Sequence, residues 1–148
     1  MQKQQLIQVC TDYFKDKISS LNAIIKEVSE SSNSENKSSA GDKHETSKAM
    51  MQLEIEKLGT QLKEAEGQLA EFEKINFIKF FQSIEQGCLV ETNKGYFLIA
   101  SSIGKLTVDD KIVFVISSKS PLALKLIGSK QKDTVIFNDV SYSIIAIN

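Results

Sequence analysis

"MQLEIEKLGTQLKEAEGQLAEF", residues 51–72, sets Met51, Ile55, Leu58, Leu62, Ala65, Leu69 and Phe72 at alternating steps of four and three. That is an unbroken a/d heptad seam, the period of a helix that buries one narrow stripe against another helix. The positions between are mostly Glu, Lys and Gln, which suits a solvated face. Gly59 and Gly67 each cost about 1 kcal/mol relative to alanine inside a helix. Packing along the stripe must therefore supply the stability, and the segment needs a partner.

Upstream, Ile7, Cys10, Phe14, Ile18, Leu21, Ile25 and Val28 make a second seam with one irregular step. Between the two lies "SESSNSENKSSAGDKHETS", residues 29–47, small and polar. Alone, a serine-rich stretch reads as a flexible linker. Flanked by two seams, it reads as the tip of an antiparallel hairpin, part helix and part turn. Each arm has about 30 residues and so runs roughly 45 Å at 1.5 Å per residue.

Past residue 76 the period changes. "CLVET", "GYFLIA", "KIVFVI", "TVIF" and "YSIIAI" are short blocks of β-branched and aromatic residues. Asn93-Lys94-Gly95, Gly104, Asp109-Asp110 and Asn138-Asp139 mark turns between them. Within "SPLALKLIG", Ser120 suits an N-cap, Pro121 the first helical position and Gly128 the stop. Tyr96, Phe97, Phe114, Phe137 and Tyr142 read as sheet core. The expected fold class is α+β. An antiparallel coiled-coil hairpin spans 1–75 with an acidic tip at 35–47. A small antiparallel sheet domain with one short helix spans 76–148. Residues 75–86, "INFIKFFQSIEQ", join the two, and their apolar content predicts packing rather than a free hinge.

The chain of 148 residues carries 18 basic and 19 acidic side chains, net −1. No global basic field favours coating nucleic acid, so direct DNA binding is not expected. Every basic residue apart from His44 is lysine, so no bidentate guanidinium clamp on phosphate is present. Cys10 and Cys88 form no C-x-x-C pair and read as ordinary thiols of a reducing compartment. "MQKQQLIQVC" lacks the apolar region of a signal peptide. No apolar run approaches the roughly 20 residues that span a bilayer. These features predict a cytoplasmic protein that does not enter a membrane, and a hairpin that folds back on itself predicts a monomer. No phosphate loop, zinc motif or nucleophilic triad is readable in a chain with one histidine.

Two motifs carry a resemblance to a known family. "GDKHET", 41–46, resembles the tip pattern Gly-Asp-x-x-Glu-Asn of the Gre transcript-cleavage factors of bacterial RNA polymerase. "SKSPLALKLIGSKQKDTVIF", 118–137, with "YSIIAI", 142–147, resembles that family's C-terminal signature. The order and spacing of both suit the family across nearly the whole chain. The resemblance implies a coiled-coil finger with an FKBP-like C-terminal domain that docks at the rim of the polymerase secondary channel. It further implies that the tip carboxylates, Asp42 and Glu45, reach the polymerase active site. There they help hold a second Mg²⁺ and a water, so that a backtracked RNA 3′ end is hydrolysed. No cofactor of the chain's own is implied, and the factor is not an enzyme by itself. Such a metal takes hard oxygen ligands and is often held by only one or two carboxylates.

Each candidate has a plainer reading beside it. Asp42-x-x-Glu45 also resembles a capping box, and a capped carboxylate keeps a free oxygen, so the two readings coexist. His44 and Glu35 are further polar residues of the tip without distinctive spacing. Ser120, Pro121, Lys119, Lys125 and Lys130, with Lys132, form a lysine-rich stretch suited to an acidic protein surface or simply to solvent. After Glu45 come Thr46, Ser47, Lys48 and Ala49, where Gre tips commonly carry Asn-Ala-Glu-Tyr. Ser38 stands where many carry Arg. This departure keeps open a channel-occupying regulator without cleavage activity. A prolyl isomerase with a coiled-coil handle is a third reading, resting on fold alone.

Overall fold

The computed structural model describes the backbone of residues 1–35 and 41–148, and the side chains of residues 1–33 and 45–148. Helix α1 spans Lys3–Glu35 and helix α2 spans Gly41–Glu73. Strands β1 (Leu89–Thr92), β2 (Gly95–Ala100), β3 (Gly104–Val108) and β4 (Lys111–Ser117) follow. Helix α3 (Pro121–Leu126) then precedes β5 (Thr134–Phe137) and β6 (Val140–Ile147). By contact the chain divides into two compact units, Thr11–Ala70 and Met1–Cys10 with Glu71–Asn148.

The Thr11–Ala70 unit is a helix pair. Leu21, Leu58 and Ala65 bury together, with Ile18, Ile25, Val28 and Leu62 packed against them. These are the expected seam positions, and the Glu, Lys and Gln positions between them are exposed. Residues 36–40 could reach no more than about 20 Å even fully extended. Two long helices in lateral contact can be joined by so short a segment only if they run antiparallel. Helix lies on both sides of the connection, up to Glu35 and again from Gly41. Most of the serine-rich stretch is therefore helical, although serine and asparagine favour caps and turns. Tertiary packing of the flanking seams overrides that local preference.

The other unit is built on a six-stranded sheet in the order β3-β4-β2-β1-β6-β5. The sequence reading of an all-antiparallel sheet is corrected here, because β2 and β4 pair in parallel from Tyr96↔Val113 to Ala100↔Ser117. The cause is a strand absent from that reading. "GKLTV" forms β3, which pairs with β4 rather than with β2. Strand β4 then inserts between β2 and β3 and must run in the direction of β2. Strand β3 lacks a buried alternation, since only Val108 is fully buried along it, and so left no periodic signal.

The turns obey local chemistry. Asp109 and Asp110, and Asn138 and Asp139, all have positive φ. These are the two central positions of the tight hairpin turns that match strand twist, and Asn and Asp tolerate them best. At Asn93-Lys94, Thr92 Oγ1 accepts the Lys94 N–H at 3.0 Å and donates to Gly95 O at 2.9 Å.

Helix α3 starts as expected. Ser120 is its N-cap, with Oγ accepting the Ala123 N–H at 3.3 Å, and Pro121 follows. Ala123 and Leu126 face a core that includes Phe81, Ile84, Val90, Phe97, Ile99 and Ile144. Phe97 lies 5.3 Å from Phe114 and 5.7 Å from Tyr142, centroid to centroid. On the opposite sheet face Leu98, Val113 and Val115 are also fully buried. Within residues 75–86 the expected packing holds for Phe77, Phe81 and Ile84, which are buried, while Ile78 and Phe80 are exposed. Ile84 pairs with the end of α3, donating to Ser129 O and accepting from the Gly128 N–H, both at 2.8 Å.

Candidate functional site

The tip acids fall at the start of α2. Asp42 is the second residue of the helix and Glu45 comes three later, so their backbones stand on neighbouring turns of one face. A carboxylate near a helix amino end is stabilised by the partial positive charge there, whatever else it does. Glu45 is exposed. The side chains of Asp42, His44 and Glu35 lie outside the described residues, as does Ser38 altogether. Two carboxylates offer the hard oxygens that Mg²⁺ prefers but fill only part of an octahedral shell. The remainder would come from a partner or from water. Among the described residues no group of three or more His, Cys, Asp or Glu side chains is placed to hold a metal ion.

The lysine-rich stretch resolves into structural and surface parts. Ser120 is committed to the cap, since Oγ also donates to Ser117 O at 2.7 Å. Pro121 opens α3, and Lys125 sits in its last turn, where a cation suits the carboxyl end. Lys119, Lys125, Lys130 and Lys132 are all exposed. The Lys130 N–H donates to Asp133 Oδ2 at 2.8 Å, which fixes the loop backbone and leaves the ammonium group to solvent. The tip pair and this lysine face belong to different compact units.

A third feature gave no sequence signal. In the Met1–Cys10 and Glu71–Asn148 unit, a cavity of about 580 Å³ is lined by Lys3, Ile7, Ile75, Phe77, Ile78 and Lys79, with amide side chains at its rim. Lys3 Nζ donates to the main-chain oxygens of Phe77 at 2.7 Å and Asn148 at 2.8 Å, and lies 4.4 Å from the centroid of the Phe81 ring. Lys79 pairs with Glu85. Two residues after α1 Lys3, Gln5 bonds Asp109 in the β3–β4 turn at 3.2 Å. Lys3 could not be singled out from sequence because its partners lie 74 and 145 residues away.

Both cysteines are free thiols in the interior. Burial pushes Cys10 up from 9.0 to about 12. Burial also pushes Cys88 up from 9.0 to about 11, against the lowering effects of Lys3 and of a backbone hydrogen bond at Asn148. Burial lowers Lys3 from 10.5 to about 8, partly opposed by Cys88. These shifts define a pH profile. From pH 8 upward the folded chain releases the Lys3 proton while the unfolded chain keeps it until 10.5, so stability rises with pH. Above pH 9 the unfolded thiols lose protons that the folded ones retain until about 11 and 12. Two thiols then outweigh one amine and stability falls. Urea denaturation across this range is expected to show a maximum close to pH 9. A monotonic decline from neutral pH would contradict the assignment of these environments.

No protein-family model matches the chain, and no curated protein matches it. Among the described residues no helix is long and apolar enough to cross a membrane.

Proposed function

We propose that this chain is an accessory factor of RNA polymerase that enters the secondary channel with its helical hairpin and stimulates cleavage of backtracked RNA. The observation that carries the reading is one of order. A pair of antiparallel helices bears Asp42 and Glu45 at the first turns of α2, and the same chain continues into a sheet unit whose short helix opens on Ser120-Pro121. This is the arrangement the Gre resemblance implies, with the C-terminal sheet unit in the place of the FKBP-like domain. Polymerase binding places the protein in the cytoplasm, acting as a monomer.

In this reading the chain supplies ligands rather than a complete active site. Asp42 and Glu45 offer carboxylate oxygens to a Mg²⁺ shared with the polymerase. Two metals clamp the attacking and leaving oxygens of a phosphodiester in such hydrolyses. Glu45 can also accept a hydrogen bond from the attacking water and so orient it. The exposed ammonium groups of Lys119, Lys125 and Lys130 face an acidic surface at the channel rim, and the Ser120 cap with Pro121 fixes the loop that presents them.

The test is RNA cleavage in a backtracked complex assembled with the cognate polymerase. Wild type is expected to accelerate cleavage. The Asp42→Ala, Glu45→Ala double variant is expected to lose the acceleration, on the order of a hundredfold or more, the scale for removing charge-stabilising groups at a transition state. It should still compete with wild type for the polymerase. Equal acceleration by both proteins rejects the assignment. A second reading is favoured by Thr46-Ser47-Lys48-Ala49, which puts an exposed lysine where the family carries an acid. It keeps the partner and makes the protein a channel regulator without cleavage activity. Slowed nucleotide addition on complexes that are not backtracked, with no cleavage by either protein, selects it.

A further inference from the structure

The seam of the Thr11–Ala70 unit is closed in one stretch and open in the next. Leu21 on α1 and Leu58 on α2 are buried, at 8% and 6% exposure. Val28 and Met51, one heptad closer to the connection between the helices, are only half-buried. They stay apolar although the facing helix does not cover them. Together with Met50, Ser31, Ser47, Glu27 and Glu54 they line a groove of about 470 Å³. Met50 is 66% exposed, the most exposed large apolar side chain described in this unit. Ile24, 43% exposed, stands one turn before Val28 and extends the apolar surface along the same face of α1.

The ionisable side chains of the groove are both carboxylates. No lysine lines it, and among the described residues no ion pair engages Glu27 or Glu54. The whole chain is nearly neutral, with 18 basic and 19 acidic side chains, so the sign belongs to this face rather than to the composition. Glu27 and Glu54 come from opposite helices and share the groove with its apolar side chains. A second copy of the chain docked through the same face would set carboxylates against carboxylates. Nucleic acid and anionic lipid are repelled for the same reason. A cation set among apolar side chains answers both features.

We propose that this groove receives an amphipathic helix of a protein partner whose apolar stripe is flanked by Lys or Arg. Two helices packed side by side leave a groove along their axes, and that is the surface on which a further helix packs. The apolar stripe covers Val28, Met50, Met51 and Ile24, and the cations meet Glu27 and Glu54. Methionine is unbranched and flexible, so this wall adapts to the shape of the side chains that reach it. The groove is separate from the tip acids and from the Ser120 lysine face, and its existence does not depend on the polymerase reading.

The experiment uses the full chain, labelled with ¹⁵N, and a synthetic peptide with blocked ends. The peptide has roughly 18 residues, enough to hold a helix, with Leu recurring at steps of three and four and Lys beside it. Controls are the same peptide with Gln for Lys, with Glu for Lys, and with Ser for Leu. The Lys-Leu peptide is expected to shift amide signals of residues 24–31 and 47–54. Each control is expected to bind at least about tenfold more weakly, a difference of about 1.4 kcal/mol. Met50→Gln exchanges an exposed side chain for a comparable helix former. It is expected to weaken binding by about tenfold without changing the thermal midpoint. Glu27→Gln combined with Glu54→Gln is expected to remove the preference for Lys over Gln. Equal binding of the Lys and Gln peptides overturns the proposal, as do shifts centred elsewhere and unchanged binding by Met50→Gln. Equal binding of the Leu and Ser peptides overturns it as well, leaving a charge effect only. Shifts of the same signals when the chain alone is concentrated also overturn it and assign the face to a second copy.

Discussion

Gly87→Ala is expected to destabilise the sheet unit by on the order of 3 kcal/mol or more. Two effects add. Gly87 has φ +93°, a conformation that costs a residue with a Cβ about 1–3 kcal/mol. A Cβ there would also collide with the main-chain oxygen of Asn76, with Ile75 Cγ2 only 3.3 Å away. Neither partner is the loose end of a side chain. Relief by backbone movement is blocked as well, because the Gly87 N–H donates to Ile99 O at 2.7 Å and the Ile99 N–H to Cys88 O at 3.0 Å. Gly128 supplies the control. Its φ is +92°, yet nothing lies within 4 Å of an added Cβ. Gly128→Ala should therefore cost only the conformational part, the same about 1–3 kcal/mol, without the collision. Near-ultraviolet circular dichroism during thermal unfolding follows the aromatic core of this unit. Equal midpoints for the two variants would remove the collision from the account.

Phe72→Ala carries the second large effect. Phe72 is 1% exposed and its ring centroid lies 5.1 Å from that of Phe77. Truncating a fully buried phenylalanine costs about 3–5 kcal/mol, combining lost transfer energy with the cavity left behind. Leu69→Ala, three residues earlier on the same seam but only half-buried, should cost clearly less. Urea denaturation of both variants checks the ranking. A Phe72→Ala protein as stable as Leu69→Ala would mean that the site collapses around the smaller side chain.

Phe72 was legible in the sequence, and Gly87 was not. The seam from Met51 to Phe72 repeats over many turns, and a helix presents only one stripe to its partner, so spacing alone located the buried side chains. The α3 start was legible for a similar reason, since Ser120 and Pro121 act on their immediate neighbours. Sheet pairing is different. The parallel β2–β4 pair depends on where β3 goes, and β3 has almost no buried alternation to announce it. Asp42 and Glu45 were found through local spacing within a polar tip. Lys3 was not found, because its partners lie far away in the chain. Nothing in "INFIKFFQS" separates the buried Phe77 and Phe81 from the exposed Ile78 and Phe80.

The bonds from Lys3 to Phe77 and Asn148 have a consequence for synthesis on the ribosome. Thr11–Ala70 is translated in one stretch and forms a compact unit, so its helices can pair before the first strand has emerged. Met1–Cys10 is made before that stretch but belongs to a unit completed only by Glu71–Asn148. Leu6 and Cys10, both fully buried in the finished protein, must wait uncovered through most of translation. Apolar surface exposed for that long attracts chaperones and other nascent chains. A polar surround tempers that exposure, and the glutamines around Leu6, at Gln2, Gln4, Gln5 and Gln8, provide one without adding charge beside Lys3.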